Sequence, residues 1–237
     1  SSQEVDMGVF KINGKNYRLI FAKSNLTEDG LAANEYAYGD YFAWGATEPW
    51  YSSISGNTFT WKPGKEDGYT EANAPTFSPE YEINTDFKMS DDPARKILGG
   101  DWQLPTRDIW WALRDANKNK VYWGLDGDMK YDTISGIKGM KISKKDDPNT
   151  YIFLPAAGSA GTECNNVGDF GYYWSGTANS STKPYYLYFT IRGGNPQEFI
   201  YFYYVGLPVR PVRLVEVSLA GSGQGETEGI EEDVFKY

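Results

Sequence analysis

Gly168–Arg213 reads GDFGYYWSGTANSSTKPYYLYFTIRGGNPQEFIYFYYVGLPVRPVR. Tyr, Phe and Trp crowd this stretch, and it holds neither His nor Cys. Aromatic rings bring a large apolar area at low conformational entropy, and Tyr adds a polar tip. Such a stretch builds a core or a surface that grips a ligand. Its period separates the two uses. From Tyr185 to Ile191 the residues alternate, with Leu187, Phe189 and Ile191 on one face of a strand and Tyr186, Tyr188 and Thr190 on the other. The first set belongs in a core, together with Trp174 and Val212. The second faces outward unless something covers it.

Outward from this stretch the chain is mostly strand and turn. Val9–Ile12 and Tyr17–Phe21 flank Asn13-Gly14, a tight-turn signal, so residues 1–22 are predicted to form a hairpin. Residues 38–49 are aromatic and punctuated by glycine without a regular period, which predicts a packed irregular segment. Residues 50–88 are rich in Ser, Thr, Asn, Gly and Pro and are expected to form a long loop pinned by aromatics. Asp91–Leu98 has an Asp cap and a Pro at the first turn and is stopped by Gly99-Gly100. Thr106 caps a second predicted helix, from Arg107 to about Asn117, with Ile109, Trp110 and Leu113 on one side. Further strands are predicted at 120–123, 139–143, 151–155, 172–175, 199–205 and 209–217. Residues 1–217 then form one domain. Residues 218–237 begin as an acidic linker and end in Ile230-Glu231-Glu232-Asp233-Val234-Phe235-Lys236-Tyr237, expected to dock on the body or on a partner.

Composition narrows the chemistry. The 237 residues carry a net charge of −9 with no basic run, which argues against nucleic acid and against an anionic membrane surface. No apolar run reaches the length of a transmembrane helix, about 18 residues. The chain opens SSQEV, without Met or an apolar signal core, and is expected to be a processed or truncated form. Histidine is absent, which removes Ser-His-Asp triads and His-ligated metals. Cys164 is the sole cysteine, so an intrachain disulfide and a multi-Cys zinc site are excluded. Adjacent carboxylates occur at Asp91-Asp92, Asp146-Asp147 and Glu231-Glu232. They fall in caps, turns and the tail, where solvated charge explains them better than sugar cleavage does. Asp126, Asp128 and Asp132 are spaced to wrap a hard cation, but Lys130 interrupts them and no later Glu completes a calcium loop.

Five motifs occur in order: Tyr38-Gly-Asp-Tyr-Phe-Ala-Trp-Gly-Ala-Thr-Glu-Pro49, Trp102-Gln-Leu-Pro-Thr106, Phe153-Leu-Pro-Ala-Ala-Gly158, Gly171-Tyr-Tyr-Trp-Ser175 and Val209-Arg-Pro-Val-Arg213. Across residues 5–217 the chain resembles the Fibrobacter-type major paralogous domain of Bacteroidetes surface proteins. Gln103 stands where that family usually has a basic residue, and Ile109 where it usually has an acidic one. The resemblance implies an α+β, C-type-lectin-like fold of the formylglycine-generating-enzyme branch, with two helices packed on a twisted antiparallel sheet and long irregular loops. It also implies export to the cell surface, often on a lipoprotein or a fimbrial subunit. Formylglycine-generating chemistry needs a cysteine pair or a copper held by two thiolates, and Cys164 alone supplies neither, so the resemblance carries no activity. Family sequences change most between the Tyr-Trp-Ser and Val-Arg-Pro-Val-Arg blocks, and in lectin-like variable proteins that region forms the ligand face.

The expectation is therefore a non-enzymatic recognition domain, adhesin-like and without a cofactor. Its ligand is a protein or a glycan on another cell or a host surface, met by Tyr186, Tyr188, Arg192, Asn195, Gln197, Tyr201, Tyr203 and Tyr204. It would suit a fimbrial tip or a hypervariable binder. The alternative is a structural module that assembles with neighbouring fimbrial or surface subunits.

Overall fold

Asn13 and Gly14 both adopt positive φ, 52° and 81°, and make the tight turn that joins strand Glu4–Ile12 to strand Lys15–Ala22. In this computed structural model, which describes residues 3–74, 91–114, 119–121, 132–180, 182–192 and 196–218, the hairpin gains a third strand from the far end of the chain. Val212–Glu216 pairs antiparallel with Lys15–Ala22. A second sheet joins Ile137–Lys144 to Asp147–Pro155, Asn119–Val121 and Asp132–Ile134. A third sets Phe170–Ser180, Lys183–Thr190 and Gln197–Ile200 side by side, all antiparallel. Three small ribbons complete the set: Leu26–Thr27 with Gly30–Leu31, Tyr51–Ser55 with Thr58–Trp61, and Ser159–Ala160 with Cys164–Asn165.

Among the described residues strands make up 48% and helix only 9%, in several small separate sheets. This corrects the expected α+β, C-type-lectin-like arrangement of two helices on one twisted sheet. Both helices form where their caps predict, but each is six residues long, Pro93–Leu98 and Arg107–Ala112. Helices this short are marginal on their own and add little to the architecture. Gly99, at φ 75°, ends the first. Residues 50–61 were predicted as loop and instead form a hairpin, with Phe59 buried and Ser and Thr exposed along it. The strand predicted at 199–205 runs only over Gln197–Ile200, after which the chain leaves the sheet. The acidic segment 219–237, including the Ile230–Tyr237 docking expectation, lies outside the described residues.

The third sheet has apolar rings on both faces. On one side Tyr173, Leu187, Phe189 and Ile191 pack with Phe21, Trp110, Met140 and Leu154. On the other side Trp174 and Tyr186 pack with Phe42, Trp44, Leu104, Leu207 and Val209. A third cluster forms around Tyr41, Trp50, Tyr51, Phe59 and Tyr69, where Trp50 stacks on Tyr69 at 4.9 Å. The irregular 38–49 segment supplies rings to the second and third clusters, and a bridge from Phe42 to Leu207 holds it in place.

Arg210 is fully buried. Its Nε donates to Asn25 Oδ1 at 2.9 Å and its Nη2 to the Phe153 carbonyl at 2.7 Å. Asn25 Nδ2 donates in turn to the Tyr38 carbonyl and to Tyr173 Oη, both at 3.0 Å, and Tyr173 donates to the Pro155 carbonyl at 2.8 Å. Burial holds the guanidinium down, to about 10. Replacing Arg210 by Leu leaves two buried acceptors without donors. The loss expected is about 2–5 kcal/mol in urea-unfolding stability, at about 1–3 kcal/mol for each unsatisfied acceptor. Arg210→Lys should recover only part of it, because an ammonium lacks the guanidinium fork. A loss below about 1 kcal/mol would show the network to be dispensable.

Asp92 is also buried. It caps the first helix by accepting from Ala94 N at 2.9 Å and reaches across to Leu104 N at 2.8 Å. Burial pushes its carboxyl up to about 6, against the pull of those N–H donors. The unfolded value is near 3.9, so between about pH 4 and pH 6 the folded chain holds more protons than the unfolded chain. Asp92 should therefore stabilise the fold fully below that window and lose the contribution as pH rises through it. In denaturant titrations, the stability of the wild type relative to Asp92→Asn should fall from pH 4 to pH 6.5. A flat difference would contradict the assignment.

Candidate functional site

The third sheet sets Tyr172 opposite Tyr188, Trp174 opposite Tyr186, and Tyr186 opposite Phe199. Side chains directly across an antiparallel pair share a face. One row of rings therefore runs across all three strands. Phe170 stacks on Tyr188 at 5.6 Å, and Tyr172 lies 5.6 Å from both Tyr186 and Tyr188. Phe199 meets Tyr188 at 5.4 Å and Tyr186 at 6.2 Å. The row continues through Tyr201, 5.8 Å from Tyr186, to Phe202, Tyr204 and Tyr203.

Gly171 makes this geometry possible. A Cβ there would lie 2.0 Å from the Phe189 ring on the opposite face. Without it the strand pair closes, and Phe189 fills the core behind the aromatic row. Gly171→Ala should cost about 1–3 kcal/mol, read as a lower thermal midpoint. A variant as stable as the wild type would mean that Phe189 has room to move.

The row is wet along one side. Phe199 and Phe202 are each 42% exposed and Ile200 is 40% exposed. Phe170, Tyr172, Tyr188, Tyr201, Tyr203 and Tyr204 are half-buried. Tyr186 is 8% exposed, which corrects its expected outward position. The reason is that its ring is enclosed: Trp174 and Tyr172 flank it from one neighbouring strand, Phe199 and Tyr201 from the other side, and it packs in the cluster of Phe42, Trp44 and Leu207. Burial raises the Tyr172, Tyr186 and Tyr188 hydroxyls above the usual phenol range, with Arg192 pulling the other way at Tyr188. They stay protonated at neutral pH and serve as neutral donors and acceptors.

Cations mark the two ends. Arg192 is exposed, lies 5.7 Å over Phe170 and forms a long, exposed pair with Asp169 at 3.8 Å. Lys183 Nζ lies 5.0 Å over Phe202. Gln197 is exposed on the outer strand, opposite Tyr188. Asn195 lies outside the described residues. Of the predicted set, the fold thus brings together Tyr188, Arg192, Gln197, Tyr201, Tyr203 and Tyr204 on one surface, with Tyr186 beneath them. Sequence reasoning missed Phe170, Tyr172 and Phe199 on that face, and Lys183, Ile200 and Phe202, which the register places on the reverse side of the same edge. The i, i+2 spacing of Phe170, Tyr172 and Trp174 was the available signal for the first two.

Other candidates are spent on structure. Asp132 accepts from Thr133 N and lies 3.6 Å from Lys141, while Asp126 and Asp128 fall outside the described residues. No cluster of metal-ligating side chains occurs among the described residues. A cleft of about 460 Å³ beside Gly45–Trp50 is lined by Lys62 and Lys65. Lys62 is held by Glu28 and Glu48, and Lys65 donates to the Asn73 carbonyl and lies 4.7 Å over Trp50. Cys164 is half-buried, and burial raises its thiol, which makes it a poor nucleophile. No helix among the described residues is long and apolar enough to cross a membrane. Compared with known families, curated proteins and solved structures, the chain gives no match.

Proposed function

We propose that this protein is a non-enzymatic, surface-displayed recognition domain whose aromatic face binds a protein or glycan ligand. The observation that carries the reading is the half-exposed row from Phe170 through Tyr172 and Tyr188 to Phe199 and Tyr201, with Phe199 open to solvent and Ile200 and Phe202 exposed on the reverse side of the same edge. A contiguous apolar patch rimmed by polar groups marks a binding surface, and Tyr-rich patches combine anchoring rings with hydrogen-bonding tips. The motifs that resemble surface-protein domains of Bacteroidetes support export and display at the cell surface, in an adhesin or a fimbrial tip. The assembly alternative is favoured by one feature, the outer position of strand Gln197–Ile200, which leaves a sheet edge where a neighbouring subunit could join.

A glycan and surface-protein array is the test. The wild-type chain should give discrete hits, and Tyr188→Ala with Tyr201→Ala should weaken them at least about tenfold, or 1.4 kcal/mol. Both side chains are half-buried at the surface, so the double variant should keep its fold by circular dichroism. Hits that survive in the folded variant would place recognition elsewhere on the molecule.

A further inference from the structure

Strand Gln197–Ile200 is the outer strand of its sheet, with no further strand beside it among the described residues. Its inner side is defined by hydrogen bonds. Tyr201 N donates to the Pro184 carbonyl at 3.2 Å, and Tyr203 N to the Thr182 carbonyl at 3.2 Å. In an antiparallel pair the bonded residues recur every second position. The register places Phe199 opposite Tyr186 and Gln197 opposite Tyr188, so these residues also turn their backbone groups inward. The N–H and C=O of Glu198 and Ile200 therefore point away from the sheet. Exposed edges are usually blunted with Lys, Pro or a covering loop. Here the edge is flanked instead by Phe199, Ile200 and Phe202, all 40% exposed or more.

The aromatic row beside this edge is corrugated. Neighbouring rings are tilted by 53° at Tyr172–Tyr186, 41° at Tyr186–Tyr201 and 72° at Tyr188–Phe199, while Phe170 and Tyr188 stack at 25°. Side chains of alternating residues seat in the notches between the tilted rings. Arg192 stands at one end of the row, and Lys183 lies over Phe202 on the reverse side of the same edge, toward the other end.

We propose that the ligand of this face is a polypeptide segment that adds as a fourth strand along Gln197–Ile200, seats alternate aromatic side chains in the Tyr188–Phe199–Tyr201 row, and places acidic side chains at its ends, against Arg192 on that face and against Lys183 on the reverse side. The inference rests on the aromatic face being the recognition surface, and it names the chemistry recognised there. Backbone bonds to residues 198 and 200 supply the common part of the affinity, and the ring notches set the choice of sequence.

The probe is a labelled synthetic peptide, fluorescein-DDFTYTFDD-amide, titrated with the full chain and read by fluorescence polarisation; its paired end residues present an acid to either face. It should bind with a Kd of about 10–100 μM, and fluorescein-KKFTYTFKK-amide should bind at least about fivefold more weakly. Ile200→Pro is the decisive variant. It removes one outward N–H and leaves the inward bonds of residues 197, 199 and 201 intact, a substitution an edge strand accepts. It should weaken the acidic peptide at least about tenfold, while Ile200→Val keeps wild-type binding. No binding of the peptide, or equal binding by Ile200→Pro and Ile200→Val, overturns strand addition. Oligosaccharide hits that are lost in Tyr188→Ala but unchanged in Ile200→Pro would leave the aromatic face as the site and make its ligand a glycan. Peptide binding that survives both Tyr188→Ala and Tyr201→Ala would overturn the face itself.

Discussion

A guanidinium buried without a carboxylate bonded to it is the constraint around which this molecule is arranged. Arg210 reaches from the last connection before the closing strand to Asn25 and to the Phe153 carbonyl. Asn25 and Tyr173 carry the network on to the 38–40 segment and to Pro155. The second and third sheets and the connections that flank the first thus share one set of directed hydrogen bonds. Hydrophobic burial would let such small sheets slide, because it is non-directional. A buried polar network admits one arrangement, since every mispaired group costs desolvation that nothing returns.

That arrangement explains how a half-wet aromatic row is tolerated. The third sheet is fixed on one face by the core behind Tyr173, Leu187 and Phe189. On the other it is fixed by Trp174, whose Nε1 donates to the Phe42 carbonyl at 2.6 Å. Trp44 returns the contact through its own Nε1 to the Ser175 carbonyl at 2.9 Å. Between these anchors the outer part of the sheet need not be covered to be stable. Phe170, Tyr188, Phe199 and Phe202 can stay at the surface because the fold does not depend on burying them. A preorganised ring surface loses little entropy when a ligand arrives.

Local readings held where local physics decides. The Asn13-Gly14 turn, the Asp92 and Thr106 caps and the inward set Leu187, Phe189 and Ile191 are as their residues predict, because φ preference, cap chemistry and period 2 act within a few residues. Readings that needed partners failed. The hairpin at 51–61 was hidden because its Ser and Thr positions look like loop until Phe59 finds Tyr41 and Tyr51. The expected α+β layering failed because two six-residue helices cannot form a layer, whatever their sequence signals. Half of the candidate site was legible as a Tyr-rich run. Phe170 and Tyr172 were not, since their i, i+2 spacing puts them on one face with each other and only strand pairing sets that face beside Tyr188.

By itself the sequence determined the chemistry on hand: no histidine, one thiol, an acidic chain and an excess of tyrosine. It also determined which residues of Lys183–Thr190 alternate. Tertiary structure alone decided which of the alternating set meets solvent. Tyr186 and Tyr188 have the same parity and the same side chain, yet one is enclosed by Trp174, Phe199 and Tyr201 and the other stands at the rim beside Phe170 and Arg192. The difference comes from chain segments before and after the strand, and exposure depends on what lies above a ring.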